Sequence, residues 1–289
     1  MSEGIFLAIE FASIGLLVAF VALGYSLIYG VLRFVNFAHG EMLAFTAYIA
    51  LSLQMMLANS SFVTGLMIAG AAGAVVGMLL ERMVYRPFRR SGSQVLLLVS
   101  FAISMALQAV MSLTWGSASR VSPIKEPTLT FAGRVFPERL FFLLLLALLG
   151  FAGLEFALKK TLWGLTVRGY SANPVQVVAI GAPINRAIAV TFAVAGALAG
   201  VAGVCLGLQG GISPSMGFHF GLWAFAATVV GGLGSIRGTF VGGILLGGLL
   251  AASSRYFSVL YTDAVAFTTL SAVLIWKPTG LFAFLDREI

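Results

Sequence analysis

Three polar side chains stand out in an otherwise apolar sequence: Asn36, His39 and Glu41, within RFVNFAHGE at 33–41 and bracketed by Gly30 and Gly40. A polar group inside a bilayer is costly unless it faces protein or water, so this cluster is a candidate site. Two roles fit it. The side chains line or gate a path across the membrane, or they satisfy backbone groups freed where a helix is interrupted. A second interruption, VVGGLGSIRGTFVGG at 229–243, lies in the other half of the chain, with Gly231, Gly232 and Gly234 at its centre. Paired interruptions point to a transport site, although glycine is equally suited to close helix packing.

Enzymatic chemistry has little to work with, and no catalytic residue is expected. None of Lys125, Lys159, Lys160 and Lys277 follows a glycine. A phosphate-cradling Gly-Lys loop is therefore absent, and the chain does not hydrolyse ATP by itself. His39 and His219 are far apart in sequence and Cys205 is the single cysteine. Neither a metal site nor an intrachain disulfide is expected, and Cys205 reads as a packing residue in a Gly-rich run. Glu155 and Asp263 read as lone acids. Asp263 has the chemistry to relay protons, but solvation near an outer boundary is its simpler reading.

The elements that must position these residues follow from composition. Of 289 residues, 60% are hydrophobic and 9% charged, with a mean hydropathy of +1.04; soluble domains carry about 25% charged residues. A soluble enzyme and a disordered chain are both excluded. No charge falls between Glu10 and Arg33, Glu41 and Glu81, Arg90 and Arg120, or Arg186 and Arg237. Each gap holds the about 20 apolar residues of a spanning helix. The sequence predicts an all-α integral membrane protein, a polytopic bundle of about 8–9 transmembrane helices with Gly-interrupted segments. It forms a single domain over 1–289. Helices are expected near 5–28, 41–57, 62–80, 94–114, 140–158, 186–209, 219–235, 238–254 and 257–276. The pair 219–235 and 238–254 is either two spans or a broken, re-entrant pair. Gly73 and Gly77, Gly196 and Gly200, Gly203 and Gly207, and Gly243 and Gly247 have the small-xxx-small spacing that lets backbones approach. The acidic start, Glu3 and Glu10, does not fit a basic-first signal peptide.

Basic residues set the expected orientation. With 81–93 as a cytoplasmic loop, alternation places Arg33, Arg82, Arg86, Arg89, Arg90, Lys159, Lys160, Arg168, Arg186, Arg237, Lys277 and Arg287 inside. Arg120, Lys125, Arg134, Arg139 and Arg255 fall outside. That excess predicts the N-terminus out and the C-terminus in. It also accounts for the net charge of +7 better than a nucleic-acid surface would, since no aromatic-interleaved patch exists. The outer connection 115–139 is broken by Pro123, Pro127 and Pro137 and also holds Glu126 and Glu138. The inner segment 159–185 has no acid. There Asn173 fits a helix cap, Pro174 a first helical residue and Gly181 a stop, giving a short amphipathic surface helix or an ordinary connector.

GYSLIYGVLRFVNFAHGEMLAFTAY (24–48), NRAIAVTFAVAGALAGVAGVCLG (185–207) and AFAATVVGGLGSIRGTFVGGILLG (224–247) resemble the permease subunits of high-affinity branched-chain amino acid ABC importers, over nearly the whole chain. The resemblance is closest to the shorter of two paralogous permeases. It implies a second, related permease, two cytoplasmic ATPase subunits that use ATP, and an extracytoplasmic solute-binding protein, in a bacterial inner membrane with its lipid. This chain itself would bind no cofactor. The segment 159–185 is similar to the family's ATPase-coupling loop, with Asn173, Pro174 and Gly181 carried over. It departs from the family's acid-containing run at Val175-Gln176-Val177-Val178. Transport of branched-chain or related neutral amino acids by alternating access is the implied function. The same machinery for urea or short amides, and an ion-coupled secondary carrier, are the alternatives.

Overall fold

A computed structural model describes residues 2–57, 61–121, 128–131, 134–137 and 139–282, with side chains over 11–57, 61–121, 142–208 and 210–282. In chain order the helices are α1 Ser2–Leu32, α2 Ala38–Met56, α3 Phe62–Leu80 and α4 Ser93–Trp115. A hairpin of β1 Thr128–Phe131 and β2 Arg134–Pro137 follows, with Phe131 opposite Arg134. Then come α5 Arg139–Lys160, α6 Leu162–Ala172, α7 Pro174–Ala179, α8 Ile184–Gly210, α9 Met216–Gly231, α10 Ile236–Tyr256 and α11 Thr262–Trp276. All nine helices expected from the sequence are present.

Seven of them are long and apolar enough to cross a membrane: α1, α3, α4, α5, α8, α10 and α11. The two exceptions, α2 and α9, border the predicted interruptions. With 16 residues, α9 rises only about 24 Å against a hydrocarbon core of about 30 Å. In α2 the polar residues His39, Glu41 and Gln54, all buried, lower the hydropathy. The pair at 216–256 is thus one short, enclosed helix followed by one full-length apolar helix.

Burial separates centre from periphery. The apolar window of α1 is 78% buried, whereas those of α4, α5 and α11 are at most 22% buried and face outward, as lipid-facing helices do. In the centre α1 packs along α10, and α3 along α8. Glycine makes the second seam possible: a Cβ on Gly73 would overlap the carbonyl oxygen of Gly196, and one on Gly196 would overlap that of Gly73. Gly77, Gly200, Gly243 and Gly247 meet backbone in the same way, as their spacing predicted.

The expected loop at 81–93 is largely helical, which corrects the sequence reading. Beyond α3 the chain runs through a π turn, Glu81–Tyr85, and a further turn, Arg86–Phe88, before Gly92 at φ 89° ends it. The wide turn sends Glu81 and Tyr85 inward, 1% and 0% exposed, and leaves Arg82 and Arg86 outside. Charged side chains at a helix end read as a loop in sequence because hydropathy registers the outward face alone. Of the expected outer connection, Pro123, Lys125, Glu126, Pro127 and Glu138 lie outside the described residues, as does Arg287 near the C-terminus.

Candidate transport and coupling site

The first interruption is built from its backbone outward. Arg33 closes α1 at φ 54°, donating its N–H to Tyr29 O at 2.9 Å. It occupies the left-handed position that glycine usually takes after a helix, at a cost of about 1–2 kcal/mol. The Oδ1 of Asn36 accepts from Ala38 N at 3.2 Å and from the Tyr85 hydroxyl at 2.7 Å. That side chain therefore starts α2 and ties it to the π turn. Phe37 N donates to Ser100 Oγ, whose single proton goes to Leu97 O at 2.7 Å, with Val35 O 3.2 Å away. Groups freed by the break are thus satisfied by side chains from α4 and the π turn.

His39 and Glu41 are enclosed by protein, 0% and 1% exposed. Room for His39 comes from Gly24, whose Cβ would lie 2.8 Å from His39 Cε1. His39 Nε2 is 3.3 Å from Val21 O, and its ring meets the edge of Tyr25. Glu41 accepts a hydrogen bond from Ser104 and lies against Gly217. A Cβ on Gly40 would overlap the carbonyl of Gly217 and approach Gly221 Cα to 2.8 Å. These three glycines let α2 sink onto α9, which is why the acid is enclosed.

The second interruption turns on Gly232 at φ 120° and Gly234 at φ 83°. Gly231 ends α9, and Ser235 Oγ accepts from Gly238 N at 2.9 Å to cap α10. Leu281 N and Phe282 N donate to Val230 O and Gly231 O, so the segment after α11 satisfies the open end of α9. The two interruptions meet. A Cβ on Gly30 would lie 3.7 Å from Gly234 Cα, and Ser26 Oγ is 3.5 Å from Ser235 O, across 209 residues of sequence.

A helical pair abuts this junction. Asn173 Oδ1 accepts from Gln176 N at 3.2 Å, Pro174 opens α7, and Gly181 stands at φ 75°, as the sequence predicted. The preceding α6 went unpredicted; its signal is Thr161, which caps Gly164 N at 3.1 Å. Ser171 Oγ donates to Gly30 O at 2.6 Å and accepts from Arg33 Nη2 at 3.1 Å, joining α6 to the first interruption. Outward the pair is apolar, with Leu162 83%, Val175 78% and Ile180 80% exposed.

Two acids read as solitary are paired. Glu155 accepts from Arg237 Nε at 2.8 Å and meets Lys159 Nζ at 2.7 Å, beside a cleft of about 340 Å³ that also exposes Arg33, Arg168 and Ser171. Asp263 accepts from Trp223 Nε1 at 2.8 Å and lies 3.3 Å from His219 Nδ1. Arg237, Trp223 and His219 come from helices distant in sequence, which spacing does not reveal. Lys159 instead stands four residues beyond Glu155 on the same helix, a pairing that spacing does allow. Tyr85, Ser100, Ser104 and Ser171 were likewise missed, because a single hydroxyl in an apolar run carries no periodic signal. Cys205 is buried, as expected of a packing residue.

No group of three His, Cys, Asp or Glu able to hold a metal occurs among the described residues. What the site offers is conformational: two helix breaks in contact, braced by side chains, with a surface helix pair bonded to one of them. The sequence matches the family model described as branched-chain amino acid transport system / permease component over residues 7–274. It is 34% identical over 284 residues to the high-affinity branched-chain amino acid transport system permease protein LivH of Escherichia coli (strain K12), covering 93% of this chain and 92% of that protein. It is 33% identical over 283 residues, with the same coverage, to the corresponding permease protein BraD of Pseudomonas aeruginosa. A probable branched-chain amino acid transport permease protein LivH of Methanocaldococcus jannaschii is 26% identical over 92% of this chain and 88% of that protein. The solved structure of PsaBC from Streptococcus pneumoniae in complex with Fab aligns over 96% of this chain and 94% of that chain. Its identity is 12% and its TM-score 0.46, too low to establish a shared fold.

Proposed function

The chain belongs to the branched-chain amino acid transport permease family, and from that premise we propose that it is the non-catalytic membrane subunit of an ATP-driven, binding-protein-dependent importer. Its cargo is a branched-chain or related neutral amino acid. A second related permease completes the pore, two ATPase subunits dock on the face carrying α6 and α7, and a solute-binding protein delivers from the opposite side. This chain binds no cofactor; ATP is used by the partner subunits. The whole of 1–289 acts as one permease domain in a bacterial inner membrane, with α6 and α7 at the cytoplasmic end, the N-terminus out and the C-terminus in.

One observation carries this reading: Ser171, on α6, is hydrogen-bonded to Gly30 at the first interruption. Movement of the surface pair is thereby transmitted to the place where both breaks meet. ATP binding needs only to favour one position of α6 and α7 to bias the whole bundle. Asn36, His39 and Glu41, with Gly231, Gly232 and Gly234, hold the two breaks that move, and the solute passes alongside. Asn173, Pro174 and Gly181 shape the docking pair.

The deciding experiment reconstitutes the chain with its co-purifying subunits and follows labelled leucine into vesicles. Uptake is expected to need ATP on one side and binding protein on the other. Uptake driven by an ion gradient without ATP overturns the proposal; uptake of urea or an amide in place of leucine keeps the machine and changes the cargo. A sharper prediction concerns Gly181→Val. A side chain there meets no atom within 4 Å, so the bundle is expected to fold. The left-handed backbone costs about 1–2 kcal/mol for an L residue, so α7 reorients, and ATP hydrolysis continues while uptake falls about tenfold. Retained uptake at wild-type ATP cost counts against coupling through α7.

A further inference from the structure

A cleft of about 1300 Å³ opens between the π turn, the α6–α7 pair at Tyr170 and Val178, and the start of α8. Arg82, Arg86, Arg89, Arg90 and Arg186 line it. Its one carboxylate, Glu81, is 1% exposed and already paired with Arg89, whose Nη1 also donates to Asn185 Oδ1 at 3.0 Å. The other four arginines are exposed and have no carboxylate partner among the described residues. Like charges gathered in one cleft repel, so the assembly favours an anion that divides its charge among several guanidinium groups. Phosphate does this, because its oxygens accept the paired N–H donors of arginine.

The surroundings select the kind of phosphate. Met78 and Val190, 40% and 38% exposed, share the cleft with the arginines, and Leu79 and Met83 continue the apolar surface at 48% and 72%. Met78 and Val190 stand on α3 and α8, both spanning helices by length and composition. One wall is therefore cationic and the other runs apolar into the membrane. A free anion or an acidic protein surface has no use for the second wall. We propose that this cleft binds the headgroup of an anionic phospholipid, with Arg82, Arg86, Arg90 and Arg186 on the phosphate and an acyl chain along Met78 and Val190. Basic pockets between helices at one membrane face are suited to such lipids. The site stands whichever solute the permease carries.

The test uses the full permease with its co-purifying subunits in mixed micelles holding equal amounts of phosphatidylglycerol and phosphatidylcholine, read by native mass spectrometry. The wild-type complex is expected to retain phosphatidylglycerol at least about fivefold over phosphatidylcholine, and the combined Arg82→Gln, Arg86→Gln, Arg186→Gln variant to lose that preference. Arg120→Gln with Arg255→Gln is expected to keep it. Equal retention of both lipids by the wild type overturns the proposal without any variant having to fold. So does full displacement of phosphatidylglycerol by millimolar inorganic phosphate, which assigns the cleft to a free anion. If the triple variant sheds the ATPase subunits but keeps its lipid, the arginines serve an acidic protein surface and the proposal fails.

Discussion

Gly73→Val is expected to part α3 from α8 and remove most of the folded permease from the membrane. Added methylenes usually cost about 1–3 kcal/mol, because neighbouring side chains give way. Here the obstacle is the backbone of Gly196, which also needs Gly73 to be bare, so neither helix relieves the overlap without leaving the other. A loss of about 3 kcal/mol or more lowers the folded-to-unfolded ratio over a hundredfold. Gly153→Val is the control: it lies on the outward-facing α5, with no atom within 4 Å of an added Cβ. Size-exclusion yield in detergent checks the pair. Equal yields for the two variants would mean that the seam between α3 and α8 tolerates separation.

Asn36→Ala is expected to be the most damaging single change at the first interruption. It removes the acceptor that starts α2, worth about 0.5–2 kcal/mol. It also strands the buried Tyr85 hydroxyl, a further penalty of about 1–3 kcal/mol. Tyr85→Phe removes the other partner and leaves the Asn36 bond to Ala38 in place, so it should cost only about 1 kcal/mol. Thermal unfolding of the two single variants and the double variant is expected to give a coupling of about 0.5–3 kcal/mol. Labelled-leucine uptake should fall at least about tenfold for Asn36→Ala and far less for Tyr85→Phe. Additive effects would mean that the Tyr85–Asn36 bond does not brace the break.

The helices were legible because charge-free length and small-residue spacing are local properties. Gly73, Gly196, Gly243 and Gly247 announced the seams, and Asn173, Pro174 and Gly181 announced α7, since capping and φ preference belong to individual residues. The enclosure of Glu41 was not legible. It depends on Gly217 and Gly221, which lie far along the chain and make room for α2 only once α9 is in place. Tyr85 was hidden for a related reason: a π turn shifts which residues of ERMVYRPFRR face inward, and no period of 3.6 anticipates that shift. Asp263 looked solitary because its partner His219 stands on another helix, as Arg237 does for Glu155. Lys159, four residues beyond Glu155 on the same helix, was within reach of spacing alone.

The contact between the two breaks also bears on how the protein is made. Ser26 meets a carbonyl 209 residues further on, and Gly15 and Ala19 of α1 rest on Gly247 and Gly243 of α10. At about 5–20 residues per second the ribosome takes roughly 10–40 s to deliver that surface. Throughout that interval α1 is without the helix that will bury it. Biogenesis of this permease therefore has a waiting period written into its topology, and a chain truncated before α10 should be recognised by membrane quality control as unfinished.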